Sequence, residues 1–238
     1  MAMYFQQHTI ASLPIHVERK LTSRTNFRVI CLYSFLSFVN VAAAAALNIC
    51  IAGGTGDFGR TLASKLGNHD VTILSRNKFL ASSPRRVTET FGWLGETYLN
   101  RFPHVTVRDW DGGDMLDIVG KDWVGWQEDT LSKADVILHM TGGFTKQRVM
   151  ATERLVRESQ HYNPAAVQIT VSPKGVEELS ILERTTSAAT LKFQRVEQCE
   201  ALVRQNCIHY QCLRFEANRL EQSCEEILSC ISDISKKS

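Results

Sequence analysis

LNICIAGGTGDFGR, residues 47–60, sets a short apolar run directly against Gly53, Gly56 and Gly59, three residues apart, and then opens into the helix-compatible run RTLASKL. The order is strand, glycine turn, helix. The three glycines meet three physical needs: one lets the chain leave the strand sharply, one lets backbone approach a pyrophosphate, and one lets the new helix pack on the sheet. The first N–H groups of that helix lack intrahelical partners and favour an anion in front of them. Residues Gly53, Gly54, Thr55, Gly56, Asp57, Phe58 and Gly59 are therefore expected to form a dinucleotide-binding turn. A glycine-rich turn without a ligand is the plainer alternative.

Downstream, residues 70–76 (DVTILSR) read as a second strand of β-branched and aliphatic residues. In a dinucleotide fold an acidic residue near this strand's end hydrogen-bonds the adenine ribose, whereas an arginine suits a 2′-phosphate. Ser75, Arg76 and Asn77 occupy that place. A guanidinium fork matches phosphate geometry, so the expected cofactor is NADP rather than NAD.

The pattern then repeats. Residues 87–100 read as a helix and 105–110 (VTVRDW) as a third strand closing on Asp111-Gly112-Gly113, where Asp109 or Asp111 is placed near the adenine edge, or else forms the turn. Residues 134–140 (ADVILHM) form a fourth strand ending at Thr141, Gly142 and Gly143, whose small size lets backbone pass close to a ribose or nicotinamide. His139, inside that apolar run, reads as a core histidine, and Trp123 and Trp126 as packing residues. Residues 145–161 carry Val149, Thr152, Leu155, Val156 and Ser159 at near-helical spacing, and Asn163-Pro164 stops the helix. A fifth strand at 166–171 leads into Ser172-Pro173-Lys174-Gly175, followed by a helix at 188–205 and a strand at 208–215. This alternation predicts an α/β fold, a doubly wound parallel sheet of Rossmann type in a single domain spanning 47–215, with a C-terminal helix in 216–238.

Residues 1–46 have a different character. Arg19, Lys20, Arg24 and Arg28 stand against Glu18, a net of +3, so the remainder of the chain, whose total is +2, is near neutral at −1. No Lys/Arg-rich block is present to neutralise phosphates, which argues against a nucleic-acid binder. Residues 29–46 are 18 long and uncharged, just short of the ~20 residues of a membrane span. Basic flank, apolar run and small-residue end together read as a targeting or signal-like segment, cleaved near 44–47. The expected destination is an organelle, a plastid among the options, or the cytoplasm without the segment; a membrane partner follows only if residues 29–46 are retained.

The chain is long enough, at 238 residues, for one sizeable core, and its 44% hydrophobic content excludes intrinsic disorder. Its seven cysteines include five in the last forty residues, with no CxxC pair and an odd count. Those spacings fit neither a zinc site nor a small disulfide scaffold, so reduced thiols are expected, with redox sensing by the C-terminal group as the alternative.

Taken together, IAGGTGDFGR (51–60), VTILSRN (71–77), WDG (110–112), ADVILHMTGG (134–143) and the helix carrying Arg148 and ATERLV (151–156) resemble an extended or atypical short-chain dehydrogenase/reductase of the NAD-dependent epimerase/dehydratase-like branch. A second likeness, to NmrA-type atypical reductases, lies in EALVR (200–204) and IHYQCLR (208–214). The first resemblance covers residues 47–175 in order and spacing. It implies an NADP-dependent oxidoreductase or nucleotide-sugar-epimerase-like enzyme acting on a small-molecule substrate. Ser172 matches the family's serine at the end of the fifth strand, and Lys174 offers a cation to polarise a carbonyl. The family's Tyr-xxx-Lys pair is missing: at its spacing this chain reads Thr185-Thr186-Ser187-Ala188-Ala189. Threonine is a far weaker acid than tyrosine, whose own pKa of about 10 already needs lowering to serve at neutral pH. The resemblance thus implies either an enzyme with an unorthodox site or a non-catalytic NADP(H)-binding sensor, regulatory or assembly subunit.

Overall fold

Six strands line up in parallel in the order β3-β2-β1-β4-β5-β6. They are β1 (Asn48–Ala52), β2 (Asp70–Ser75), β3 (Val105–Asp109), β4 (Val136–His139), β5 (Val167–Pro173) and β6 (Tyr210–Phe215). The computed structural model describes residues 45–83, 94–110, 112, 126–143, 145–174, 187–216 and 219–236. The chain divides at Ala43/Ala44, and the architecture is that of its second unit; most of the signal-like segment, Trp123, Asp111 and the stretch 175–186 lie outside the described residues.

This order is that of a doubly wound Rossmann-type sheet, which reverses direction between β1 and β4. Such sheets are covered on both faces, so their strands carry apolar side chains on both sides. In β1, Ile49 and Ile51 point into one layer and Cys50 and Ala52 into the other, all at most 1% exposed. Fully burying an Ile side chain is worth ~2 kcal/mol, and this central strand places its whole apolar content in the two cores.

The first layer packs β1, β2, β4 and β5 against α1 (Asp57–Lys65), with Leu62 and Ala63 buried, and against the C-terminal α6 (Leu220–Ser235), with Cys224, Ile227 and Ile231 buried. The tail expected to pack as an amphipathic helix does so beside α1, where Lys65 bridges Glu221 and Glu225 at 2.7 Å each. The second layer holds Trp110 and Trp126 edge to face, with centroids 5.8 Å apart, over Leu74, Ile137 and the buried side of α4 (Lys146–Tyr162). Helix α5 (Ser187–Asn206) lies alongside α4, where Val203, Cys207 and Val156 form a small third cluster.

Several boundaries differ from the sequence reading. Strand β5 runs on to Pro173, pairing Ser172 with Arg214 and Pro173 with Phe215; a proline is tolerated there because it closes the strand. Residues 127–131 form a π-helical turn, Gln127–Leu131. Of the helix read at 87–100, α3 (Glu96–Arg101) is the described part, and Tyr98 ties it to α1 by donating its hydroxyl to the Arg60 carbonyl at 2.6 Å. A one-turn helix, α2 (Lys78–Ser82), follows β2. His139 is a core histidine: it is 4% exposed and its Nε2 pairs with Gln168 Oε1 at 2.8 Å. Among the described residues the cysteines are unbridged, and burial pushes the Cys50 thiol up to about 12 and those of Cys207 and Cys224 to about 11.

Candidate cofactor cleft

At the carboxyl ends of β1, β2 and β4 lies a cleft of about 400 Å³, at the switch point where open α/β sheets take their ligands. Its floor is the glycine turn, in which three glycines act in three different ways. Gly53 has φ +86°, and a Cβ there would sit 2.5 Å from Thr141 Cα and 2.7 Å from the Met140 carbonyl oxygen. The turn after β1 and the end of β4 therefore pass backbone to backbone, clamped by Met140 N donating to Ala52 O at 2.9 Å. Gly59, buried in α1, would carry a Cβ 2.4 Å from Gly54 Cα and carbonyl oxygen, so its absence lets the helix settle on the turn. At Gly56 a Cβ would meet nothing within 4 Å. Gly56 lines the cleft, with open space where a side chain would begin.

Gly56 is also the N-cap of α1, with no side chain capping the helix. The helix's first N–H groups and the positive end of its dipole are thus left for an anion. This is the cradle a pyrophosphate requires, and a side chain at Gly56 would fill it. The residues present fit a dinucleotide: the cleft extends from the cradle over Ser75, Arg76, Trp110 and Gly112 on one side and over Thr141 and Gly142 on the other.

The wall beside Arg76 depends on one more glycine. Gly112 has φ +64°, and a Cβ on it would lie 2.8 Å from Cδ and 2.9 Å from Cγ of Arg76. The aliphatic stem of Arg76 rests on that bare Cα, its side chain lining the cleft. Asn77 serves a different end from the one expected, capping α2 by accepting the Leu80 N–H at 2.9 Å, while its own N–H donates to Ser75 Oγ at 3.3 Å. Asp109 is likewise engaged locally, accepting the Lys78 N–H at 2.5 Å. The role expected of Asp111 falls outside the described residues.

Of the other expected residues, Thr55, Ser75, Thr141 and Gly142 line the cleft with Gly53, Gly56 and Arg76. Gly54 supports the turn from beneath. Asp57 is exposed in the first turn of α1, and Phe58 stacks on Phe215 with centroids 4.5 Å apart. Gly143, at φ +78°, presents its carbonyl to Arg148 Nη1 at 3.3 Å.

The two residues expected at the reaction centre sit elsewhere. Ser172 is 0% exposed and shares with Gln168 and Thr170 the face of β5 that turns toward α4 and α5. Its oxygen faces the Glu200 carboxylate on α5, which it helps to keep charged, but lies outside hydrogen-bond geometry. Glu200 is itself held by Arg214, which donates Nε at 2.9 Å and Nη2 at 2.6 Å to its two oxygens. Burial pushes the Glu200 carboxyl up, opposed by Ser172, Arg204 and Arg148. Lys174 is exposed beside Phe215 and α6. Neither Ser172 nor Lys174 lines the cleft.

Sequence reasoning assigns no site role to Trp110, Thr145, Gln147 or Arg148, all of which line the cleft. Arg148 carries a readable signal nonetheless. Residues 148, 151, 152, 154, 155, 156 and 159 are buried on α4, and Arg148 continues, one turn N-terminally, the spacing of Ala151, Thr152, Leu155, Val156 and Ser159 that marks the inward face.

The chain is similar to several solved short-chain dehydrogenases/reductases. A wide-type member from Veillonella parvula, in complex with NADP, is 17% identical, with 70% of this chain and 67% of that chain covered at a TM-score of 0.47. An alcohol dehydrogenase from Comamonas testosteroni specific for bulky-bulky ketones is 14% identical, covering 80% and 85% at 0.49. A metagenomic short-chain oxidoreductase in complex with NADP is 12% identical, covering 80% and 92% at 0.49. No family model and no curated protein sequence matches the chain.

Proposed function

We propose that this protein binds NADP(H) and is an oxidoreductase of the short-chain dehydrogenase/reductase type, related to its epimerase-like branch, that works without a Tyr-xxx-Lys pair. The observation that carries the reading is the vacant side of Gly56 at an uncapped helix N-terminus, with Arg76 seated on Gly112 along the same cleft. The turn holds the pyrophosphate, Arg76 takes the 2′-phosphate, and Thr141 and Gly142 border the nicotinamide riboside. When bound, the cofactor supplies hydride transfer; the chain's own residues bind it, orient it and shield it from water.

A second reading, a non-catalytic NADP(H)-binding sensor or assembly subunit, is favoured by one feature. Ser172, the serine at the position of the family's catalytic serine, is buried against Glu200 and away from the cleft.

Titration of the purified protein with NADPH and NADH tests the cofactor assignment. NADPH should bind at least tenfold more tightly, and Arg76→Ala should erase most of that preference while leaving NADH affinity unchanged. Equal affinities in the parent protein would refute the role of Arg76, and no binding of either would refute the dinucleotide cradle.

A further inference from the structure

Three positive features face one cleft: Arg76 at one end, the N-terminus of α1 in the middle, and Arg148 beyond Thr141 and Gly142. NADP(H) offers anions for the first two, its 2′-phosphate and its pyrophosphate. Nothing in that assignment accounts for Arg148.

Arg148 is 6% exposed. Its guanidinium donates to two carbonyl oxygens, Gly143 at 3.3 Å and Val171 at 3.4 Å, both long contacts. No carboxylate among the described residues lies within ion-pair distance of it. Glu200 senses its charge but is already held by the two-pronged contact with Arg214. His139, the other titratable neighbour, is held neutral by burial, with the Arg148 charge acting in the same direction. The helix that carries Arg148 adds to the imbalance, because the first turn of α4 has no acidic residue and its N-cap, Thr145, makes no capping bond with its side chain.

A buried cation answered only by two weak dipoles is costly unless an anion completes it. A mere tie between Gly143 and Val171 needs N–H donors, not a charge. Three of the five guanidinium N–H groups remain beyond those two bonds, enough to meet a planar oxyanion through a fork.

We propose that Arg148 binds a carboxylate carried by the substrate, so that the molecule whose carbonyl carbon takes up hydride in this cleft, or whose alcohol carbon gives it up, is a small carboxylic acid, with the accompanying proton passing to the oxygen from solvent or back to it. The assignment rests on the dinucleotide reading for its reaction, and on Arg148 alone for the anion. The carboxylate docks on the guanidinium at the first turn of α4, which leaves the rest of the small molecule to lie against the Thr141–Gly142 edge.

Calorimetric titration of the full chain tests this. NADPH binding is measured first; the saturated protein is then titrated with pyruvate, 2-oxobutyrate and acetate, each beside its uncharged amide, and with inorganic phosphate. At least one carboxylate should bind tenfold or more tightly than its amide. Arg148→Gln, which keeps donors for both carbonyls, should remove that difference with NADPH affinity changed less than about threefold, and Arg148→Lys should restore part of it. Equal binding of acids and amides, or binding of neither, would overturn the proposal. So would a tighter response to phosphate than to any carboxylate, or a parallel loss of NADPH affinity in Arg148→Gln, since both assign the guanidinium to a phosphate. If NADPH itself fails to bind, the dinucleotide reading falls, and the same titration of the unliganded protein still decides whether Arg148 holds a carboxylate.

Discussion

Gly56 and Gly59 lie three residues apart in one turn of sequence, yet substituting them should damage different properties. At Gly59 an added Cβ meets Gly54 backbone atoms at 2.4 Å, and backbone cannot swing aside as a flexible side chain can. Overpacking of this kind costs about 1–3 kcal/mol, and fixed opposing atoms place Gly59→Ala near the upper end. Alanine returns about 1 kcal/mol through its helix propensity, leaving a net loss of about 2 kcal/mol. For a domain of this size that corresponds to a fall in Tm of roughly 4–8 °C. At Gly56 an added Cβ meets nothing, and the backbone there (φ −80°, ψ 173°) is extended, a conformation valine adopts readily. Gly56→Val should therefore lose no more than about 1 kcal/mol, through poorer capping. Its branched side chain, however, occupies the space through which a phosphate reaches the helix N–H groups. A loss of 100-fold or more in NADPH affinity is expected, about 2.7 kcal/mol. Thermal unfolding by circular dichroism and NADPH titration by fluorescence read the two properties separately. Gly56→Val binding NADPH as the parent does would refute the cradle; Gly59→Ala melting with the parent would refute the helix-on-turn contact.

Two further outcomes concern the buried polar groups. Burial holds the His139 imidazole down at about 4, so the unfolded chain takes up its proton near 6.5 while the folded chain resists. The stabilising effect is complete above pH ~6.5 and is lost as pH falls toward ~4, about 3 kcal/mol in all; urea unfolding at pH 7.5 and 5.0 should show a smaller acid loss in His139→Gln than in the parent, and parallel profiles would contradict it. Removing the fork on Glu200 with Arg214→Ala strands a carboxylate that is 3% exposed and should cost about 2–3 kcal/mol, discounted because Arg214 is partly exposed; Glu200→Met combined with Arg214→Leu should recover most of that, and a double variant no more stable than Arg214→Ala would argue against the ion pair as the cause.

The centre of the sheet is legible in the sequence because β4, and β1 beyond Asn48, are buried on both faces, so each appears as an apolar run between turn residues, whereas β6 at the edge has no fully buried residue. Periodicity 2 assigns alternate residues to opposite faces without saying which helices cover them. Ser172 is expected at a ligand only from its match to the family's serine, and it follows Gln168 and Thr170 into the layer beneath α4 and α5. The glycine turn is legible in its spacing: positive φ and close backbone approach exclude a side chain at Gly53, close approach excludes one at Gly59, and Gly56 has room for one. Asn77 illustrates the opposite case: its amide suits a phosphate neighbour and a helix cap equally, and the short helix Lys78–Ser82 decides between them. Arg148 is easily passed over because a charge within an inward stripe reads as an interruption of the pattern rather than as its continuation.

The contact of Gly53 with Thr141 bears on how the cleft is able to change. These two backbones touch where the two halves of the sheet meet, so the β2 side and the α4 side of the cleft share one tight backbone joint. Arg76 and Arg148 lie on the two sides of that joint. Selectivity at either end can be altered by exchanging side chains alone, whereas a longer or shorter guest demands that the joint itself be rebuilt.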